Sequence, residues 1–216
     1  MPELPEVEDP EERAFQRLYG PWRPWTPRRA AVALAGWGRP WWVAGGWAIE
    51  AFTSIPRRHE DIDVAIFRRD VPSLRAHADP AYHCWAVGHW MWKALSADEP
   101  ELPEWADQVW LREHAWAPWL ADVVTTADAD GDWVFRRDAG ITAPLDEVTW
   151  EADGVRYLRP EIVLAFKAKL ARLKDDQDLD AALPLLDEPA ARWLRETVAR
   201  LHPGHRWQPA LDGRIG

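Results

Sequence analysis

The chain of 216 residues contains one cysteine, Cys84. A lone thiol excludes an intrachain disulfide and any zinc site built from several cysteines. Long apolar runs are missing too. Apolar residues make up 47% of the chain, yet charges and prolines break them up, and no stretch approaches the roughly 20 residues that a membrane span needs. The first residues are acidic and proline-rich where a secretory leader is basic and then apolar, so the expected location is cytoplasmic, with no membrane partner. Positive charge is also scarce: 26 Lys and Arg stand against 36 Asp and Glu, a formal net charge of -10. That balance leaves no global basic footprint of the kind a nucleic-acid backbone selects, and it argues against nucleic acid as a partner.

Tryptophan is what the chain has in excess, with 17 in all. Trp22, Trp25, Trp37, Trp41, Trp42 and Trp47 cluster early and the rest scatter to Trp207, so they form no single stripe. Such spacing reads as core filling and interface packing.

The opening octet "MPELPEVE" resembles the start of the formamidopyrimidine-DNA glycosylase family, which implies Pro2 as nucleophile and Glu3 as acid/base. That family ends in a four-cysteine zinc finger and grips DNA with positive charge. This chain has neither, and the resemblance stops after about eight residues.

Further along, "AAVALAGWG" over 30–38 predicts a helix ended by glycine. An apolar strand, Trp41 to Ala44, then runs into Gly45-Gly46 and a short helix from Trp47 to Phe52. A strand from Asp61 to Phe67 and a helix from Val71 to Ala78 follow. In the middle, "AYHCWAVGHWMW" and "QVWLREHAW" read as strands, and "PWLADVVTT" reads as a better one because β-branched residues close it. A turn at "ADADGDW" precedes a short strand at Trp133 to Phe135, and "DEVTWEADGVRYL" reads as a hairpin turning at Asp153-Gly154. From Pro160 the pattern becomes helical, with Ile162, Phe166 and Leu170 recurring every four residues. Two further helices follow at "DDQDLDAALPLL" and "EPAARWLRETVARLH", and the tail after Pro203 is expected to be irregular.

The chemistry sits where the glycine pair and the acids of "EDIDVAIF" come together in this order. Side chains two apart in a strand share a face, so Asp61 and Asp63 would lie about 6.6 Å apart along it. Two carboxylates so placed repel one another unless a cation lies between them. Hard divalent ions such as Mg²⁺ take oxygen ligands, and a pair of them can steer an in-line phosphoryl displacement. A strand that ends in Gly-Gly and enters a helix brings backbone N–H groups and the positive end of the helix dipole to a point suited to phosphate oxygens.

"GGWAIEAF" and "RRHEDIDVAIF" resemble the nucleotidyltransferase superfamily, and most closely its aminoglycoside- and lincosamide-modifying branch. "YLRPEIVLAFKAKLARLKDDQDLDAALPLL" resembles the C-terminal helical portion of the same proteins. The resemblance implies an α/β (α+β) fold, a mixed β-sheet flanked by helices and followed by a C-terminal helical region. The expected division is a tail and short helix over 1–29, a catalytic domain over 30–158 and a helical region over 159–216.

It further implies a nucleoside triphosphate donor such as ATP, two Mg²⁺ ions, and a small hydroxylated acceptor of the aminoglycoside kind. By position, Gly45, Gly46 and Trp47 would hold the nucleotide, and Asp61 and Asp63 the metal. A third acid, as metal ligand or general base, matches Asp122 in "WLADVVTT", with Glu113 in reserve. Lys167 is the lysine favoured for the triphosphate, against the alternative that Lys167 and Lys169 both snorkel at the surface. Arg57 and Arg58 are read either as phosphate contacts or as partners of Glu60, and Asp175, Asp176 and Asp178 as an acidic helix start. Two other readings stand beside this one: a toxin-type or regulatory enzyme acting on tRNA or protein, and a non-catalytic nucleotide-binding homologue.

Overall fold

The structure is a computed structural model and describes residues 10–215; the MPELPEVE octet, with Pro2 and Glu3, lies outside them. In chain order, α1 (Pro10–Tyr19) and α2 (Pro27–Ala33) precede β1 (Trp41–Val43), α3 (Gly45–Thr53), β2 (Asp63–Phe67) and α4 (Val71–Ala78). Then come β3 (His83–Gly88), β4 (Met91–Ala94), β5 (Gln108–Arg112), β6 (Ala121–Thr126), β7 (Asp128–Ala129), β8 (Asp132–Val134) and β9 (Thr142–Ala143). The rest is α5 (Leu145–Val148), the hairpin β10 (Thr149–Ala152) and β11 (Val155–Leu158), and the helices α6 (Pro160–Lys167), α7 (Leu173–Ala182), α8 (Glu188–Leu201) and α9 (Gln208–Ile215). None of the described helices is long and apolar enough to cross a membrane.

The chain divides into two compact units. The first holds the residues up to Trp41 together with His59–Thr125, and the second holds Trp42–Arg58 together with the residues from Thr126 onward.

In the first unit β4, β3, β5 and β6 pair antiparallel in that order, and β2 lies beside β6. Strand β2 is buried on both faces beyond Asp63, as its unbroken Val-Ala-Ile-Phe run requires. Register puts Trp85 opposite Trp110 and Trp110 opposite Asp122, so one face carries aromatic rings directly beside a carboxylate.

Around Trp110 lie Trp22, Trp119 and Trp92, at centroid distances of 4.9, 5.3 and 5.8 Å in edge-on geometry. The Arg112 guanidinium stands over Trp85 at 4.2 Å and over Trp119 at 4.1 Å. Burial lowers its proton affinity, and the two ring faces replace part of the lost water. Much of the tryptophan excess is therefore the core of this unit, as its scattered spacing predicts. Helix α2 is started by Thr26, whose hydroxyl accepts from Arg29 N at 3.3 Å, with Pro27 in the first position.

The second unit has a mixed sheet in which β10 and β11 form an antiparallel hairpin and β1 runs parallel to β11. Asp153 and Gly154 both have positive φ, 50° and 73°, as a two-residue hairpin turn of the primed kind demands. A small antiparallel sheet, β7-β8-β9, stands apart from it. Helix α3 packs on α6 and α7, α6 on α8, and α8 on α9. Asp187 caps α8 by accepting from Ala190 N at 2.9 Å, with Pro189 inside the first turn.

Several sequence expectations need correcting. Helix α2 starts earlier than residue 30 and ends at Ala33, because Thr26-Pro27 is the stronger start signal. The stretch 81–92 is a hairpin and not one strand: His89 and Trp90 turn it with φ of 49° and 61°, conformations that neither residue type advertises. Strand β2 begins at Asp63, leaving Asp61 just before it. Helix α6 stops at Lys167 and is buried nearly all round, so Leu170 lies beyond it and is exposed. The tail after Pro203 forms α9, docked through the buried Trp207 and Leu211.

Gly88 closes β3 where the chain passes close to backbone. A Cβ there would stand 2.5 Å from Trp105 O and 2.9 Å from Ala106 Cα. We expect Gly88→Ala to destabilise the protein by roughly 2 kcal/mol or more, as overpacking against rigid atoms does, and thermal unfolding by circular dichroism measures it. An unchanged midpoint would mean that 105–107 moves aside freely.

Candidate active site

Asp122 is the second residue of β6, and only 7% of its surface is exposed. Its backbone N–H donates to Ile62 O at 3.0 Å, which fixes it beside the start of β2. One carboxylate oxygen, Oδ2, accepts from Gln108 Nε2 at 2.8 Å. The other, Oδ1, is buried and accepts no hydrogen bond of ordinary length and angle. Burial pushes the carboxyl well above its ordinary proton affinity. The charges of Asp63 and then Asp61 push it further, and hydrogen bonding by the Trp110 indole works the other way. Asp61 and Asp63 therefore lie within electrostatic range of Asp122, at the end of β2 that the Asp122–Ile62 hydrogen bond sets beside β6. Asp61 is exposed and Asp63 half-buried. Glu113, the reserve candidate, lies exposed just past the end of β5 and takes no part in the shift at Asp122.

No three His, Cys, Asp or Glu side chains among the described residues form a cage able to hold an ion by themselves. Magnesium asks for less. It is usually held by one or two carboxylates, with water and substrate phosphates completing the octahedron. A buried carboxylate oxygen met by no well-formed hydrogen bond, within electrostatic range of two more carboxylates, is a hard-oxygen donor set with an excess of negative charge, and it fits such an ion.

Gly45, Gly46 and Trp47 open α3 in the second unit. Gly45 has φ of +59°, a left-handed conformation that a side chain would strain. Ala44, in the N-cap position, supplies no side-chain cap, so the first-turn amides of α3 have none from the residue that usually provides it. An anion suits such a helix start.

Lys167 has a different setting from the one the sequence suggested. It lies in the second unit, its ammonium 3.0 Å from Asp175 Oδ1 and 2.9 Å from Asp178 Oδ2, with 10% of its side chain exposed. Arg57 completes this network at 3.2 Å from Asp178 Oδ1, and its backbone N–H donates to Glu50 Oε2 at 2.9 Å. Burial pushes Asp175 up, but Arg172 and Lys167 outweigh it and hold the carboxyl below its ordinary value. Two cations here answer two buried acids, and in this structure Lys167 and Arg57 are their ion-pair partners. Asp175 keeps its helix-start role, accepting from Arg172 N at 2.9 Å. Sequence reading missed Gln108, Glu50 and the inward turn of Asp178, whose partners only the fold brings near.

Residues 29–79 match the family model of aminoglycoside-2''-adenylyltransferase, a segment that contains the glycine turn, Asp61 and Asp63. The fold is similar to the crystal structure of ANT(2'')-Ia in complex with adenylyl-2''-tobramycin. That likeness has a TM-score of 0.54 and 17% identity, covering 80% of this chain and 95% of that one. It is also similar to the solution structure of the antibiotic-resistance factor ANT(2'')-Ia, with a TM-score of 0.53 and 16% identity over 86% of this chain and 92% of that one. No curated protein matches the chain by sequence. The resemblance to the antibiotic-modifying branch of nucleotidyltransferase enzymes is thus borne out, as is the expected fold class: mixed sheet, flanking helices and helices at the C-terminal end.

Two outcomes follow from the contrast between the clusters. Asp178→Ala leaves Lys167 and Arg57 short of a buried partner, so urea unfolding should show a loss of roughly 3 kcal/mol or more. Asp122→Asn should do the reverse at neutral pH. The folded carboxyl has raised proton affinity, so its contribution to stability is full below the unfolded value and is lost as pH rises through the folded one. Removing the charge should raise the melting temperature by roughly 2–4 °C at pH 7. The gain should shrink as pH falls into the ordinary carboxylate range, and a gain that is the same at both pH values would refute the electrostatic account.

Proposed function

We propose that this protein is a Mg²⁺-dependent nucleotidyltransferase that moves AMP from ATP onto a hydroxyl of a small polyhydroxylated acceptor, an aminoglycoside-like antibiotic, and releases pyrophosphate. The observation that carries this reading is the buried carboxylate of Asp122, its Oδ1 met by no well-formed hydrogen bond and its proton affinity raised by Asp63 and Asp61. A cytoplasmic location suits an enzyme that consumes ATP.

In this reading Asp61 and Asp63 are the metal ligands. The ion supplies charge neutralisation at the triphosphate and an electrophilic pull on the phosphorus being attacked. The first-turn amides of α3, exposed through Gly45 and Gly46, hold phosphate oxygens, and Trp47 continues that turn. Asp122 takes the proton of the acceptor hydroxyl on Oδ1, or lends that oxygen to the ion as a third ligand. Its raised proton affinity favours the base role, since it makes the carboxylate a stronger proton acceptor than an ordinary aspartate. Gln108 holds Oδ2, which leaves Oδ1 as the reactive oxygen. The acceptor oxygen bonds to the α-phosphorus, the bond from that phosphorus to the bridging oxygen breaks, and pyrophosphate departs with the electron pair. A net charge of -10 suits a cationic acceptor.

Pyrophosphate release from Mg²⁺-ATP, measured with a panel of aminoglycosides beside Asp61→Asn and Asp63→Asn, tests the reading. We expect release only with an acceptor and a loss of roughly a hundredfold or more in either variant, the scale seen when transition-state charge loses its counterpart. Absence of release with every acceptor, together with ATP binding that neither variant changes, would sink it.

A further inference from the structure

The second unit contains a cavity of about 340 Å³ that the transfer chemistry does not use. It is lined by the half-buried Trp193, with the fully buried Trp133 behind, and its polar lining includes Thr142, Glu147, Glu161, Asp187 and Arg159. The volume falls in the range of pockets for small organic ligands. Three carboxylates against one guanidinium make the lining net negative.

Glu161 is its distinctive member. It is placed in the first turn of α6 with 8% of its surface exposed. Its carboxylate accepts a hydrogen bond from its own backbone N–H, and no other residue's side chain bonds it. Arg159 lies near enough to lower its proton affinity, but forms no ion pair with it, and burial, the larger effect, raises it. Asp187 is occupied differently, since its Oδ1 caps α8. A buried carboxylate facing a cavity without a cationic partner is costly unless something charged enters.

The shape of the lining selects among cations. No three acidic, histidine or cysteine side chains among the described residues come together as a metal cage. A bare metal ion would also leave most of the volume and the Trp193 indole unused. An ammonium group on a compact carbon frame uses everything present: the charge meets Glu161, and the frame and cation lie against the Trp193 ring, which attracts cations through its quadrupole.

We propose that this cavity binds a small organic ammonium ion, with Glu161 as its principal charged contact and Trp193 as its aromatic wall. The proposal concerns binding, not turnover, and stands or falls without the transferase reading.

The test uses the full chain without nucleotide or Mg²⁺ at pH 8, titrated with cyclohexylammonium chloride and, separately, with neutral cyclohexanol. Indole N–H signals of Trp133 and Trp193, assigned from Trp→Phe variants, report binding by NMR. Saturable shifts of those two signals are expected with the amine, with at least tenfold weaker binding of the alcohol and at least tenfold loss in Glu161→Gln. Should Glu161→Gln fail to fold, Glu147→Gln at the exposed rim serves instead, with a two- to threefold loss expected. Equal affinity for amine and alcohol, or an affinity that neither substitution changes, would overturn the proposal, as would shifts confined to other indoles.

Discussion

The constraint on which the candidate site depends is a carboxylate kept inside a β-sheet without a counter-charge. Asp122 is buried, held by one side-chain hydrogen bond, and set beside two more acids. Folding alone gives no return for this. Burial disfavours the charged form and so do like charges, and here both push the same way. A strand position next to Val123, with tryptophan opposite, would be more cheaply filled by another apolar residue. The arrangement is stable only because the surrounding core is strong enough to carry it, and it makes sense once a cation or a proton is part of the working state.

The ion-pair network of the second unit shows how the same chain treats buried acids that serve structure alone. Asp175 and Asp178 are as deeply buried as Asp122, yet Lys167, Arg57 and Arg172 answer them within ordinary ion-pair distance. Together they tie α6, α7 and the segment after α3. Compensation within the chain marks a structural cluster, and the lack of it at Asp122 is what the proposed function rests on. That difference, more than the number of acids, separates the two sites. Glu161 falls on the uncompensated side as well, which is why its cavity reads as a place for a ligand.

What the sequence made legible was whatever depended on local chemistry. Strand β1 into Gly45-Gly46, the helix Val71 to Ala78, the Asp153-Gly154 turn and the strand bearing Asp122 all follow from period, turn residues and branching within a few positions. What it hid depended on partners far along the chain. Lys167 could be placed on a helix, but not matched to acids eight and eleven residues ahead on the next helix, because burial decides which way a long side chain turns. The β3–β4 hairpin gave no Asn-Gly signal, since its turn is made by His89 and Trp90, two exposed residues in left-handed conformations. Helix α9 looked irregular because its stability comes from docking Trp207 and Leu211, not from an amphipathic pattern along the helix. Gln108 was invisible for the same reason. Its importance is the register that sets it near Asp122.

That register connects the tryptophan excess to the site. Gln108, Trp110 and Arg112 alternate along β5, so they share one face of it. Arg112 is gripped by two indoles, and Trp110 is ringed by three. Indoles lose little freedom on burial for the area they cover, so a strand pinned by them is held in position along its length. Pinning Trp110 and Arg112 also pins Gln108, and Gln108 decides which oxygen of Asp122 is occupied and which is open. A looser aliphatic core would satisfy the hydrophobic requirement equally well. It would not fix the orientation of one carboxylate on the strand next to the aromatic centre, and orientation is what a group that must meet a reacting atom requires.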